Sequence, residues 1–336
     1  MKKILILFFS YFVVSSCGSA DDFTDGLEEV WDVDSILVKP PLPSDSTNVN
    51  PTDSTHAHPS DTIIIGNDTI ITHKGSTSAD SIFINDKPEI ELTKLFKLSS
   101  MSNNTPQGFA IYGKYLFNCH HSNDYIDVFD LETQKTVVSI KMEPEDIVHC
   151  NNVNFGNEFY NKDDKFPLLY IQQRGVVCKL NVYRIICEGN TIVTAEKVQV
   201  IYFGSCSWCI NTIDNNKNLL YAVYGYNGKS YVSSFRMPSV TEGNVSFHPR
   251  DAYKTYYRPF KKVGQDTAFD NKYLYIVCGY VNEGELWRIV MDSKVAKLID
   301  LTKFGLYSEP EGIDVVNDDI YVSFTNDTLY KIRIIE

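Results

Sequence analysis

From about residue 89 onward, short β-branched and aromatic runs alternate with clusters of Asn, Asp and Gly, and no convincing helical stretch interrupts them. Five segments align: "QGFAIYGKYLFNCHH", "NNVNFGNEFY…PLLYIQQ", "CINTIDNNKNLLYAVYG", "QDTAFDNKYLYIVCG" and "EGIDVVNDDIYVSF". Each reads as a short strand, a polar turn and a more apolar strand of the L-Y-x-V kind. Two further strands follow in several of them, as in "YIDVFDLETQKTVVSIKM", where "DLETQK" is the turn. The segments begin at Gln107, Asn151, Cys209, Gln265 and Glu311, so the starts are 44, 58, 56 and 46 residues apart. Four strands per repeat at a period of roughly 40 to 50 residues predict an all-β fold, a β-propeller. The length from 89 to 336 makes room for five blades. A blade alone leaves a face exposed, so the stack must close into a ring.

The last repeat holds only three strands, "EGIDVV", "DIYVSF" and "TLYKIRII". The missing outer strand is available upstream as "EIELTKLFKLS", residues 89–99, which would close the ring and hide an edge. Over the last three-quarters of the chain this pattern resembles secreted propellers of the NHL, gluconolactonase and surface-antigen kinds. The resemblance implies the architecture and carries no catalytic set onto particular residues; WD and kelch signatures are missing.

Upstream the pattern changes. "KPPLPSDSTNVNPTDSTHAHPSDT" is rich in Asp, Ser, Thr, Pro and Asn, and buries too little apolar area to offset its ordering entropy. Residues 17–88 are therefore expected to be a tether. Within it, "DTIIIGNDTIITH" and "DSIFIND" are apolar enough for strands, the first with "GND" as its turn. They form either an extra hairpin or an addition to the main domain, which leaves the order of residues 61–85 open. His56 and His58 lie on this segment and read as solvated rather than as a metal pair.

Residues 1–16 read as a signal peptide: Lys2 and Lys3, the apolar run "ILILFFSYFVV", then "SSCG". The run is too short for a membrane span, which needs roughly 20 apolar residues. Its ending resembles the lipobox of bacterial lipoproteins, which implies acylation of Cys17; the alternative is a secreted chain with an incidental cysteine. "GSADDF" just beyond resembles the surface-export signal of Bacteroidota lipoproteins. Together these imply a lipid-anchored, outward-facing protein of the bacterial outer membrane. Six triplets of Asp, Ser or Thr, then Ile or Thr place hydroxyls at Ser35, Ser46, Ser54, Thr62, Thr69 and Ser81. They resemble the O-glycosylation motif of exported Bacteroidota proteins, although a linker of this composition also produces such triplets by chance. "DTA" at Asp266 and "DTL" at Asp327 match as well, in or beside predicted strands.

The formal charge of −12 becomes −14 once Lys2 and Lys3 are removed with the leader. A nucleic-acid partner would want a clustered basic face; the longest basic cluster, "RPFKKV" with Arg258, Lys261 and Lys262, reads as a solvated loop. The expected partners are a glycan or a protein ligand, with the membrane reached only through the lipid. No cofactor and no metal are expected, and the propeller is expected to be monomeric.

In a propeller the first strand of each blade lines the axis, and its start faces one mouth. That places Gln107, Asn151, Cys209, Gln265 and Glu311 in one ring, with His149, Trp208, Asp266 and Glu309 as neighbours. Amides, carboxyls, an imidazole and an indole make a sugar or peptide site; equally, they satisfy strand ends and hydrate the channel. Glu309 and Glu311 in "EPE" share a side of an extended strand. Paired carboxyls divide acid and base roles in glycoside hydrolysis, and Asp266 across the channel reads as the better partner, so a catalytic site would use Glu311, Glu309, Asp266 and His149. His120, His121 and His149, beside Cys119 and Cys150, form the densest His/Cys cluster. Their spacing matches no common zinc pattern, and mouth histidines or a Cys119–Cys150 disulfide are the plainer alternatives. Cys17 apart, seven of the eight cysteines remain, an odd number. "CKLNVYRIIC" would bring Cys178 and Cys187 together if it folded as a hairpin. "CSWC", at 206 to 209, has redox spacing, but it enters a strand rather than a helix and reads as a structural pair or two buried thiols. The leading function is a non-catalytic binding module. Its rivals are a glycan-active hydrolase or lyase and a structural subunit of an envelope complex.

Overall fold

The computed structural model describes residues 62–65, 69–72, 83–85, 89–98, 105–121, 125–142, 149–173, 178–203, 209–226, 229–248, 251–258, 262–291 and 295–335. The signal peptide, Cys17, His56, His58, and Ser35, Ser46, Ser54 and Ser81 lie outside them. Apart from a two-stranded hairpin, the described strands form five sheets of four or five strands, the blades of a five-bladed β-propeller. Blade one runs from its inner strand Pro106–Tyr112 through Tyr115–His120 and Tyr125–Asp130 to Lys135–Lys141. Blade two comprises Cys150–Phe155, Leu169–Gln173, Cys178–Glu188 and Thr191–Phe203, with Val245–Phe247 added in parallel. Blade three comprises Cys209–Asp214, Leu219–Tyr226, Lys229–Arg236 and Lys254–Arg258. Blade four comprises Gly264–Phe269, Tyr273–Cys278, Glu285–Val290 and Val295–Asp300. Blade five is Pro310–Val316, Asp319–Phe324 and Thr328–Ile335, completed by Glu89–Lys97.

The closing strand pairs antiparallel with Thr328–Ile335 from Glu89↔Ile335 to Lys97↔Thr328, as expected from the missing fourth strand. The two apolar segments upstream resolve differently from each other. Thr62–Ile65 and Thr69–Thr72 form a hairpin, whereas Phe83–Asn85 adds in parallel to the outer edge of blade four.

Five apolar cores lie between the blades, one per seam. The seam between blades three and four packs Ile210, Val223 and Val232 against Leu274, Ile276 and Trp287. The next packs Ala268, Val277 and Leu286 against Ile313, Val322 and Ile332. Successive residues of Tyr273–Cys278 serve opposite seams, Ile276 one and Val277 the other. Both faces of a blade are therefore buried, which is why the second strands read as continuous apolar runs rather than as alternations. At the ring closure Leu98, from the end of the segment that supplies the outer strand, joins Leu329, Phe109 and Leu116.

The Asn/Asp-rich turns have a direct cause. Asp130, Asp214 and Asp270 each accept two backbone N–H groups from the turn that follows, Asp270 those of Lys272 at 3.0 Å and Tyr273 at 2.7 Å. Asn271 in the same turn takes φ +73°, a left-handed conformation that Asn tolerates.

Candidate functional site

Pairing between the first two strands of four blades slips by one residue near the start of the inner strand. In blade two, Gln172 pairs with Asn152 but Gln173 pairs with Cys150, leaving Asn151 as the extra residue of a β-bulge. The same slip leaves out Gln265 between Gly264 and Asp266, and Glu311 between Pro310 and Gly312. In blade one it falls between Pro106 and Phe109, at Gln107 and Gly108. A bulge bends the strand and re-aims the extra side chain. Four of the five expected ring residues, Gln107, Asn151, Gln265 and Glu311, thus occupy bulges at one end of the ring. Cys209 differs in pairing regularly with Tyr224, although all five residues are buried.

An amide–carboxyl pair forms at this end. Gln265 Nε2 donates to Glu309 Oε1 at 2.6 Å and to the Gly279 carbonyl at 3.1 Å. Gln107 Nε2 donates to the Pro106 carbonyl at 3.4 Å. Burial pushes the Glu311 carboxyl well above the usual range, the charges of Glu309 and Asp266 push it the same way, and the Gln107 amide acts to lower it. Burial also raises Glu309, which is only half-buried, with a smaller contribution from Glu283. Beside them the loop after Cys278 is tied to the approach to blade five by Asn282 N–H donating to the Tyr307 carbonyl at 2.7 Å. Tyr307 and Val281 are each 57% exposed. Lys262 braces the loop from below, reaching the Glu283 carbonyl and Glu285 Oε1, both at 2.7 Å.

Asp266 does not belong to this end. It is fully buried one residue deeper, where it accepts from Thr267 N–H at 2.7 Å and from Ile313 N–H of blade five at 2.9 Å. It also accepts from the Asn152 side-chain amide, reaching over from blade two. Burial outweighs these hydrogen bonds and raises its carboxyl well above the carboxylate range. The expectation that Asp266 faces Glu311 as an acid–base partner is corrected: all its described contacts are committed to joining blades two, four and five. Asn152 continues the network by accepting from Asn211 N–H of blade three at 3.1 Å. Asp314 plays the same part at the closing seam, accepting from Ile111 N–H of blade one at 2.5 Å and from Val315 N–H at 2.7 Å. Its burial lifts the carboxyl to about 7. Sequence reasoning missed Asn152 and Asp314.

The histidines divide. The His120 side chain is wholly buried in blade one, its Nε2 at 2.8 Å from Asp127 Oδ2, and Asp127 also accepts from Ser139. His121 and His149 meet edge to face, ring centroids 4.2 Å apart, with His149 at φ +54°. Among the described residues no group of three or more His, Cys, Asp or Glu is placed to hold a metal. Cys119, Cys150, Cys178, Cys187, Cys209 and Cys278 are present as thiols. The hairpin expected to join Cys178 and Cys187 is corrected, because both sit on the single strand Cys178–Glu188. Nine steps at about 3.3 Å each hold them roughly 30 Å apart. Trp208 and Cys206 lie outside the described residues. The matched triplets at Asp266 and Asp327 place Thr267 and Thr328 in the buried interior, and the Thr267 hydroxyl donates to the Tyr275 carbonyl at 2.7 Å.

No protein-family model and no curated protein matches the sequence. Solved structures similar in fold include the PQQ-bound aldose sugar dehydrogenase of Streptomyces coelicolor, at 10% identity and a TM-score of 0.47 over 75% of this chain and 100% of that one. Virginiamycin B lyase of Staphylococcus aureus matches at 12% identity and a TM-score of 0.44 over 74% of this chain and 100% of its own. Glutaminyl cyclase of Myxococcus xanthus matches at 11% identity and a TM-score of 0.45 over 73% and 97%. Likeness at this level concerns the course of the chain and not its chemistry.

Proposed function

We propose that the protein is a non-catalytic binding module whose propeller takes a glycan at the bulged end of the ring, carried on a glycosylated tether and anchored through Cys17 to the bacterial outer membrane. One observation supports the binding site above the rest: four polar inner-strand residues are re-aimed by bulges at the same end of the ring. The amides of Gln107, Asn151 and Gln265 and the carboxyls of Glu309 and Glu311 supply donors and acceptors of the kind a polyhydroxylated ligand needs. Exposed Tyr307 adds an aromatic face beside them, with a hydroxyl at its edge. A protein ligand would use the same groups, but amides and carboxyls outnumber apolar side chains among them, which favours a sugar.

A hydrolase or lyase is favoured by one feature, the raised Glu311 carboxyl, which holds its proton as a general acid must. Glycoside hydrolysis also needs a second carboxylate roughly 5 to 9.5 Å away across the substrate. Asp266 is engaged in the scaffold, and Glu309 approaches Glu311 from the same chain segment. Binding therefore leads.

A glycan array followed by calorimetry on the soluble chain tests the proposal. Tyr307→Ala is expected to weaken the retained glycan by about tenfold, equivalent to about 1.4 kcal/mol, without moving the melting temperature. An array with no retained glycan refutes the binding reading. Product released from a polysaccharide, and abolished by Glu311→Gln, replaces it with the catalytic one.

A further inference from the structure

The geometry points to a cross-link: Cys119 and Cys150 are a dithiol that oxidises to a disulfide joining blade one to blade two. Cys119 lies on the second strand of blade one, and Cys150 opens the inner strand of blade two. The Cys119 Sγ turns across the seam, donating to the Gly108 carbonyl at 3.1 Å and to the Cys150 carbonyl at 3.4 Å. The neighbouring Cys150 thiol is, after burial, the next cause that raises the Cys119 thiol. Both belong to the apolar core between the two blades, so the pair spans two sheets rather than two neighbouring strands of one.

Gly108 makes the approach possible. A Cβ at that position would stand 2.5 Å from the Asn151 carbonyl oxygen and 2.6 Å from the Asn152 Cα. Without it, the inner strands of the two blades come close enough for the second-strand cysteine to meet the first residue of the next blade.

The oxidant is a disulfide of the thiol-exchange class, such as glutathione disulfide. The Cys150 thiolate attacks one of its sulfurs and expels a thiolate, forming a mixed disulfide. The Cys119 thiolate then attacks Cys150 Sγ, and the second thiolate of the oxidant leaves. Two protons pass to the departing thiolates, the protein gives up two electrons, and the oxidant becomes two thiols. The order of attack follows from exposure, which is 9% at Cys150 and 1% at Cys119. Burial raises the Cys119 thiol well above its usual range, so it is the poorer first nucleophile and reacts once the partner sulfur is presented to it. The bridge closes a loop of about 30 residues and removes that entropy from the unfolded chain, which corresponds to a rise of about 10 °C in melting temperature.

The test equilibrates the purified protein with reduced glutathione or with glutathione disulfide, alkylates it in denaturant and maps the peptides. After oxidation the Cys119 and Cys150 peptides are expected to be joined, and the melting temperature to rise by about 10 °C, reversibly on adding dithiothreitol. Cys119→Ala and Cys150→Ala should each abolish the rise. Should either variant fail to fold, the peptide map of the parent decides alone. Alkylated Cys119 and Cys150 after oxidation, a glutathione adduct only, or a bridge from either to another cysteine such as Cys206 or Cys209 overturns the inference.

Discussion

Removing the Asp266 carboxyl should unfasten three blades at once, and the size of the effect follows from what it holds. In Asp266→Ala the N–H groups of Ile313 and Thr267 lose their described acceptor at a fully buried position. An orphaned buried donor costs about 1–3 kcal/mol, so the two together cost roughly 2–6 kcal/mol. The Asn152 amide suffers less, because it also donates to the Thr267 carbonyl at 3.3 Å. Against this, the variant no longer buries a carboxyl whose ionised form is disfavoured there. A net loss of about 3 kcal/mol is the expectation, and for a domain of this size each kcal/mol lowers the melting temperature by roughly 2–4 °C. Thermal melting at neutral pH should therefore show a drop of about 6–12 °C. Glu311→Gln is the control. It keeps a hydrogen-bonding side chain and removes an ionisation that burial already disfavours, so it should melt within about 2 °C of the parent or above it. An Asp266→Ala variant that melts with the parent yet loses ligand would refute the reasoning, because Asp266 would then act in the site and not in the scaffold.

Asp314 gives the closing seam a pH dependence. Its folded value of about 7 lies above its ordinary 3.8, so its contribution is fully present below about 3.8 and is lost as pH rises through 7. The urea midpoint should accordingly fall between pH 5 and pH 8.5, and Asp314→Asn should flatten that part of the slope while lowering stability at pH 5; a parent and variant with parallel pH profiles would contradict the assignment. Deleting residues 89–98 strips blade five of its fourth strand and removes Leu98 from the closing core, so the domain should lose its cooperative thermal transition. Deleting residues 18–60 should leave that transition in place. A truncation at 98 that melts like the parent would be incompatible with closure by this strand.

What could be read in advance was whatever depends on local pattern. The turn after Phe269 announces itself because Asp and Asn are the residues that satisfy and tolerate such a turn, and Asp270 does both of the hydrogen bonds this requires. The outer strand of blade five was legible by subtraction, since "TLYKIRII" ends the last repeat one strand short. The distinction between Asp266 and its neighbour Gln265 was not legible. It depends on a bulge, and a bulge is a mismatch between two strands that no single strand records. Once the slip is known, Gln265 reaches Glu309 and Gly279, whereas Asp266 joins blades two, four and five.

The second residue of the aligned inner segments carries the clearest trace of that geometry: Gly108, Asn152, Ile210, Asp266 and Gly312. At Gly312 an added Cβ would meet Phe109 Cδ1 at 2.6 Å and the Gln107 carbonyl at 2.8 Å, as the one at Gly108 would meet blade two. Where the next blade approaches this closely, the position must be glycine. At Asn152 and Asp266 it holds a side chain that reaches the neighbouring backbone and answers an N–H there, at Asn211 and Ile313 respectively. Blade three has neither device and also lacks the bulge: Ile210 pairs regularly with Val223 and packs in the apolar seam. The polar network is therefore uneven around the ring. That unevenness concentrates amides and carboxyls toward blades one, two, four and five, which is where the bulged residues and Tyr307 stand. A ligand bound at this end would be gripped from those blades, and the inner strand of blade three would contribute shape rather than hydrogen bonds.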